Sequence, residues 1–253
     1  MARTLVALVL STLLAAPAAA QGGDLITPVE PWQATNEGGL CRAERRFEAG
    51  GQPHMVILEQ TAPGSRFGLA VAGPALAGLD PALPIRLGFF EAGPLFERRA
   101  RIEPNQLFAK VAVVRNLSFF PPAGEPVARM DATVLAGMDR ISVTQGDTRA
   151  TFATGPLGEA ASMLNACTAQ ILRSWDLDPA VQYGLQSGAE PEEQAKLAKQ
   201  LRKAYPASAY RSLQSGPLEA VALVDPTGAA TACKVIVASG FGDLDAAACE
   251  AMA

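Results

Sequence analysis

The residues best suited to chemistry in this chain are a single histidine, four cysteines and a few serines set beside glycine. His54 stands just ahead of the apolar run Met55-Val56-Ile57-Leu58. General-base work would require a nucleophile and an orienting acid within reach. The neighbouring residues supply neither, so His54 reads as a surface or strand-edge residue. Gly64-Ser65-Arg66-Phe67-Gly68 puts serine directly after glycine, one position too early for a nucleophile elbow. Ser239-Gly240-Phe241-Gly242 precedes a helix-like run, where an anion can meet helix amides, but Asp243 and Asp245 stand there and repel one. It reads as a plain strand-to-helix turn. The cysteine spacings match no zinc pattern and no phosphate-binding loop is present. Arg42, Arg45 and Arg46 read as one solvated basic face beside Cys41. No cofactor, metal or catalytic residue is expected, and the chain reads as non-catalytic.

The elements that position these residues begin with a leader. MARTLVALVLSTLLAAPAAAQGG has one arginine, an apolar run from Leu5 to about Ala16 and the small triplet Ala18, Ala19, Ala20, the layout of a secretory signal peptide over residues 1–20. The apolar run is shorter than the roughly 20 residues a spanning helix needs. Cleavage would leave a soluble periplasmic protein, whereas an uncleaved leader would act as an anchor. A formal net charge of -4 with both signs mixed along the chain gives no footprint for nucleic acid or an anionic membrane. Cys41, Cys167, Cys233 and Cys249 all follow the leader, and an even number in an oxidising compartment reads as disulfides. Three connectivities exist. Pairing Cys41 with Cys167 and Cys233 with Cys249 keeps each bridge inside one domain.

From Leu40 to about Phe152 short apolar runs alternate with Pro and Gly turns. Met55–Leu58, Phe67–Val71, Ile85–Phe89, Lys110–Val114 and Arg140–Val143 are expected strands of a mostly antiparallel sheet. Leu157, Ala161, Leu164, Thr168, Ile171 and Trp175 then recur on one helical stripe, with Cys167 beside it to reach Cys41. The sheet and this closing helix define a first domain, residues 24–178. Residues 179–190 lack apolar period and read as a linker.

Residues 191–253 form a second domain. Acidic Glu192 and Glu193 and basic Lys199, Arg202 and Lys203 suit the two ends of one helix, with Leu197, Leu201 and Tyr205 on a face. Leu218–Val224 and Thr231–Ala238, joined by Asp225-Pro226-Thr227-Gly228, predict a hairpin. A helix with Leu244, Ala248 and Met252 on one side follows, and a Cys233–Cys249 bridge would staple it to the hairpin. The expected fold class is α+β.

Tyr205-Pro206, Ala209, Gly216, Val224-Asp225, Gly228, Cys233-Lys234-Val235, Ser239-Gly240, Leu244-Asp245 and Ala247-Ala248-Cys249 occur in an order and spacing that resembles the carboxy-terminal domain of TonB-family proteins, over Tyr205 to Ala253. The resemblance implies a periplasmic, non-enzymatic module. In energy-transducing members it engages the plug-side segment of outer-membrane transporters by strand addition, while an amino-terminal membrane helix couples to a proton motor. Such domains continue past the helix into a further strand, and the residues here run to Met252-Ala253. The hairpin edge is therefore expected either to pair with the first domain or to stay open for a partner.

These readings converge on a periplasmic protein-interaction factor linked to outer-membrane transport, with an envelope protein as its partner through edge-strand pairing. A structural or assembly component of the envelope, and a membrane-anchored energy transducer if the leader is retained, stay open as alternatives.

Overall fold

A computed structural model describes residues 25–62, 64–118, 129–185 and 192–252. The leader expected at 1–20, the first residue of the expected first domain, the linker's residues 186–190, and residues 191 and 253 at the ends of the expected second domain lie outside these.

The first domain is built on strands β1 (Leu25–Pro28), β2 (Gln33–Glu37), β3 (Leu40–Ala49), β4 (Gln52–Gln60), β5 (Phe67–Ala72), β6 (Ile85–Gly88), β7 (Phe96–Arg98), β8 (Arg101–Glu103), β9 (Val111–Leu117), β10 (Ile141–Gln145) and β11 (Thr148–Phe152). They form one curled sheet in the order β7-β6-β10-β11-β1-β3-β4-β5-β9-β8, with β2 paired to β3. Strand β1 is the seam. Its Leu25 and Ile26 run parallel to Thr151 and Phe152 of β11, while Thr27 and Pro28 run antiparallel to Glu48 and Phe47 of β3. The remaining pairings are antiparallel.

Alternation along the strands sends one set of side chains inward. Cys41, Ala43 and Phe47 of β3, Val56 and Leu58 of β4, and Leu69 and Val71 of β5 join Ile85, Leu87, Ile141, Val143 and Phe152 in a single core. Phe47 meets Phe152 edge-on at 5.5 Å. This is an arrangement ring quadrupoles favour.

Two helices fill out this half: α1 (Ala132–Ala136), capped by the Asp131 carboxylate, and α2 (Gly158–Ser174). Helix α2 buries Ala161, Leu164, Thr168 and Ile171, the expected stripe, against β2, β3 and β4. The Cys41–Cys167 disulfide ties it to the middle of the sheet. Beside the bridge, the Thr168 hydroxyl donates to the Gln60 side-chain oxygen at 2.9 Å and the Gln60 amide donates to the Gly64 carbonyl at 2.7 Å. These bonds satisfy polar groups that burial would otherwise penalise.

The segment expected as linker opens with a short helix, α3 (Pro179–Tyr183), where the Asp178 side chain caps and proline occupies the first turn. It folds back on α2, and Arg129 lies 4.5 Å over the Tyr183 ring.

The carboxy-terminal part comprises α4 (Gln194–Ala204), α5 (Ala207–Arg211), β12 (Glu219–Val224), β13 (Ala230–Val237) and α6 (Gly242–Met252). Strands β12 and β13 form a two-stranded antiparallel sheet of their own, separate from the large one. Helices α4 and α6 pack together, and α6 lies on the hairpin. Among the described residues, no helix is long and apolar enough to cross a membrane.

Candidate functional site

The hairpin owes its shape to its two ends. At the closed end, the Asp225 carboxylate accepts from the Thr227 hydroxyl at 2.6 Å, the Thr227 amide at 2.8 Å and the Ala229 amide at 3.1 Å. The Thr227 hydroxyl, followed by the turn amides, holds this carboxyl below its ordinary range. Gly228 closes the turn, donating its amide to the Asp225 carbonyl.

At the open end, the chain passes from β13 into α6 through Ser239 and Gly240. The Ser239 hydroxyl accepts from the Phe241 amide at 3.1 Å, and the Asp245 carboxylate accepts from the Ser239 amide at 2.9 Å. Asp245 thus reaches back from the first turn of α6 to fix the strand's exit. Leu244 is buried beneath it. Gly216 presses against the same corner, where a Cβ would lie 2.0 Å from the Ser239 carbonyl oxygen. Only glycine fits there. Tyr205 leaves the α4 face on which it was expected, because the helix ends at Ala204, and its hydroxyl donates to the Gln214 carbonyl. Pro206 sits at the start of α5.

The motif residues therefore form two groups on opposite ends of β13. Asp225 and Gly228 lie at one; Tyr205, Pro206, Gly216, Ser239, Gly240, Leu244 and Asp245 lie towards the other. Leu244 is a buried side chain, whereas Asp225, Gly228, Gly216 and Asp245 hold backbone at the turns. The Cys233–Cys249 disulfide joins the middle of β13 to α6, so the four cysteines form two bridges, Cys41–Cys167 and Cys233–Cys249, and none is free.

What the arrangement presents outward is backbone. Neither outer edge of the hairpin has a ladder partner among the described residues. Each edge strand offers alternate amides and carbonyls to any extended chain laid beside it.

Two groups singled out in the sequence take structural places. His54 is a buried strand residue, 3% exposed, rather than a surface one. Its Nε2 accepts from the Ala75 amide at 3.2 Å, which puts the proton on Nδ1 for donation to the Gln52 carbonyl at 3.0 Å. Burial pushes the imidazole pKa down. The three arginines do not share a face, because β3 alternates. Arg42 pairs with Glu37 and Glu59, and Arg46 forms two bonds to Glu30. Arg45 turns inward instead. There it donates to the Glu30 and Thr154 carbonyls at 2.6 and 2.8 Å and lies over Trp32. No group of His, Cys, Asp or Glu able to hold a metal occurs among the described residues.

Sequence reasoning missed Arg115, Glu219 and Ile236, which connect the hairpin to the first domain. Arg115 on β9 pairs with Glu219 on β12. Ile236 on β13 packs on the Gly38-Gly39 turn between β2 and β3. Both contacts arise at bulges, which leave no periodic signal in a sequence.

The hairpin is stapled to α6 and leaves its outer strand edges without a ladder partner among the described residues. Residues 202–253 match the family described as Gram-negative bacterial TonB protein C-terminal. The carboxy-terminal segment is thus a TonB C-terminal-like domain, of a family that mediates protein contacts without catalysis. No curated protein and no solved structure matches the chain.

Proposed function

We propose that this protein is a non-catalytic periplasmic adaptor, exported by a leader cleaved after Ala20, whose TonB-like unit captures an extended segment of an envelope or outer-membrane transport protein. The observation that carries this reading is the hairpin itself. It is a separate two-stranded sheet whose edges have no ladder partner among the described residues, inside the segment matched to a protein-interaction family. An unpaired strand edge invites pairing with any other chain, and proteins ordinarily cover or blunt it. Two disulfides fit an oxidising compartment. Strand addition would give affinity through main-chain hydrogen bonds and specificity through side chains at alternate positions.

Per-residue amide exchange over 218–238 in the isolated, oxidised chain tests the proposal. Alternate amides that point outward from the hairpin should exchange fast and the inward ones slowly. Uniform protection along both strands would mean that the edges are already covered within the chain, and the capture reading would fall.

A further inference from the structure

Ile236 has no Cα partner in β12. The register passes from Ala220 opposite Val235 to Glu219 opposite Val237, so Ile236 is the extra residue of a bulge. A bulge kinks a strand and re-aims a side chain. Ile236 is aimed at the first domain, where its side chain is buried at 6% exposure. Its Cδ1 stands 2.9 Å from where a Cβ on Gly39 would lie, and its carbonyl oxygen 3.3 Å from where one on Gly38 would lie. Gly38 and Gly39 both have positive φ, at 61° and 101°, so the close approach and the turn each require glycine. The Trp175 ring, at the end of α2, borders the same point.

A second bulge faces the first. The pairing of β5 with β9 shifts register between Phe67 and Leu69, and Asn116 takes a positive φ of 56°. Arg115 is thereby carried to Glu219, the residue opposite Val237. The open end of the hairpin is held on one side by an apolar contact and on the other by an ion pair.

We propose that the Gly38-Gly39 turn and Arg115 together act as a stop on the hairpin. Resting on the strand-capture reading above, the inference is that the docked first domain leaves only Ala230–Val235 of the β13 edge open to an incoming strand. The neighbouring strand in a sheet lies about 4.8 Å away, and at Ile236 a Cβ placed on Gly38 would already meet the strand's carbonyl oxygen at 3.3 Å. A partner segment that pairs further must displace the turn, withdraw Ile236 and separate Arg115 from Glu219. The first domain thus sets how long a strand the TonB-like unit accepts, and a longer one releases the unit from it.

The test uses the full oxidised chain, resolved amide by amide, with Arg115→Glu, Glu219→Arg, the double reversal and Ile236→Ala. In the parent, outward amides within 230–235 should exchange fast while those of residues 236, 237 and the 38–40 turn are slow. Either single reversal should speed the slow group by about fivefold, the upper range for an exposed ion pair, and the double reversal should restore it. Ile236→Ala should speed the same amides without touching those of β4. If the amides of 236 and 237 in the parent exchange as fast as those of 230–235, or if the reversals leave the slow group unchanged, the stop is refuted while strand capture stands. Uniform protection of 230–235 refutes capture itself.

Discussion

Replacing both Cys233 and Cys249 with serine isolates what the small domain owes to its staple. Among residues 192–252 only Ala209, Ile236, Ser239 and Leu244 are buried, and α4 buries no residue fully. Ile236 is covered in part by the first domain. A unit with so thin a core has little hydrophobic free energy to set against the cost of ordering its chain. The Cys233–Cys249 bridge closes a sequence separation of 16. In the chain-entropy treatment a loop of that length is worth about 3 kcal/mol, and at 1.4 kcal/mol per decade its loss raises the open population roughly 150-fold. The assay is native-state amide exchange under identical conditions for parent and double variant. Inward amides of β13 and those of α6 should exchange faster by about that factor, while core amides such as those of Val56 and Leu58 should not change. In urea, the small unit should unfold ahead of the first domain. If β13 and α6 amides exchange at parental rates in the variant, packing alone holds the unit and the staple argument is wrong.

Other consequences follow from the same contacts. His54, the chain's sole histidine, is buried neutral with its pKa held down, so the unfolded chain binds a proton first as pH falls. Its contribution should be fully present above about pH 6.5 and diminish below it; urea midpoints measured on either side of that value should fall less steeply in His54→Gln, and equal slopes would refute the assignment. Arg45→Ala strips a charged donor from the part-buried Glu30 and Thr154 carbonyls, and losing these bonds should cost about 1.5–3 kcal/mol in chemical denaturation. Gly216→Ala drives a methyl group into the Ser239 carbonyl, so amides around 239–245 should lose protection, with the first domain unaffected. The intact mass of the exported protein without reductant should correspond to a chain starting at Gln21 and lighter by four hydrogens, two for each bridge; a species retaining Met1 would restore the anchored alternative.

Elements with strong local period were legible in the sequence. The stripe from Leu157 to Trp175 became α2 with those two residues as its flanking caps, and the run of Phe67 to Val71 became most of β5, because the helical period and the continuous apolar run each mark burial. The hairpin turn was legible because Asp225 and Gly228 have specific backbone duties. Strand β3 was not. Its inward set reads Cys41, Ala43, Arg45 and Phe47, and an arginine at an inward position breaks the pattern even though its head group finds two carbonyls there. Strand β2, QATNE, is exposed throughout and offers no apolar signal at all. The parallel seam at β1 depends on a partner strand more than a hundred residues away, and no local feature announces it. In the candidate site, the edges were legible as a hairpin, but the Ile236 bulge and its glycine cradle were not. They follow from how the hairpin meets the large sheet's β2–β3 turn, residues far apart in sequence.

The claim that the hairpin edge captures a partner is tested most directly in the intact envelope. A photo-crosslinking residue placed at Thr231 or Lys234, exposed positions on β13, should give adducts with one or more envelope proteins. The same residue at Glu250, exposed on α6, should not. Adducts that form from Glu250 and not from the β13 positions, or none from any of the three, would contradict the account.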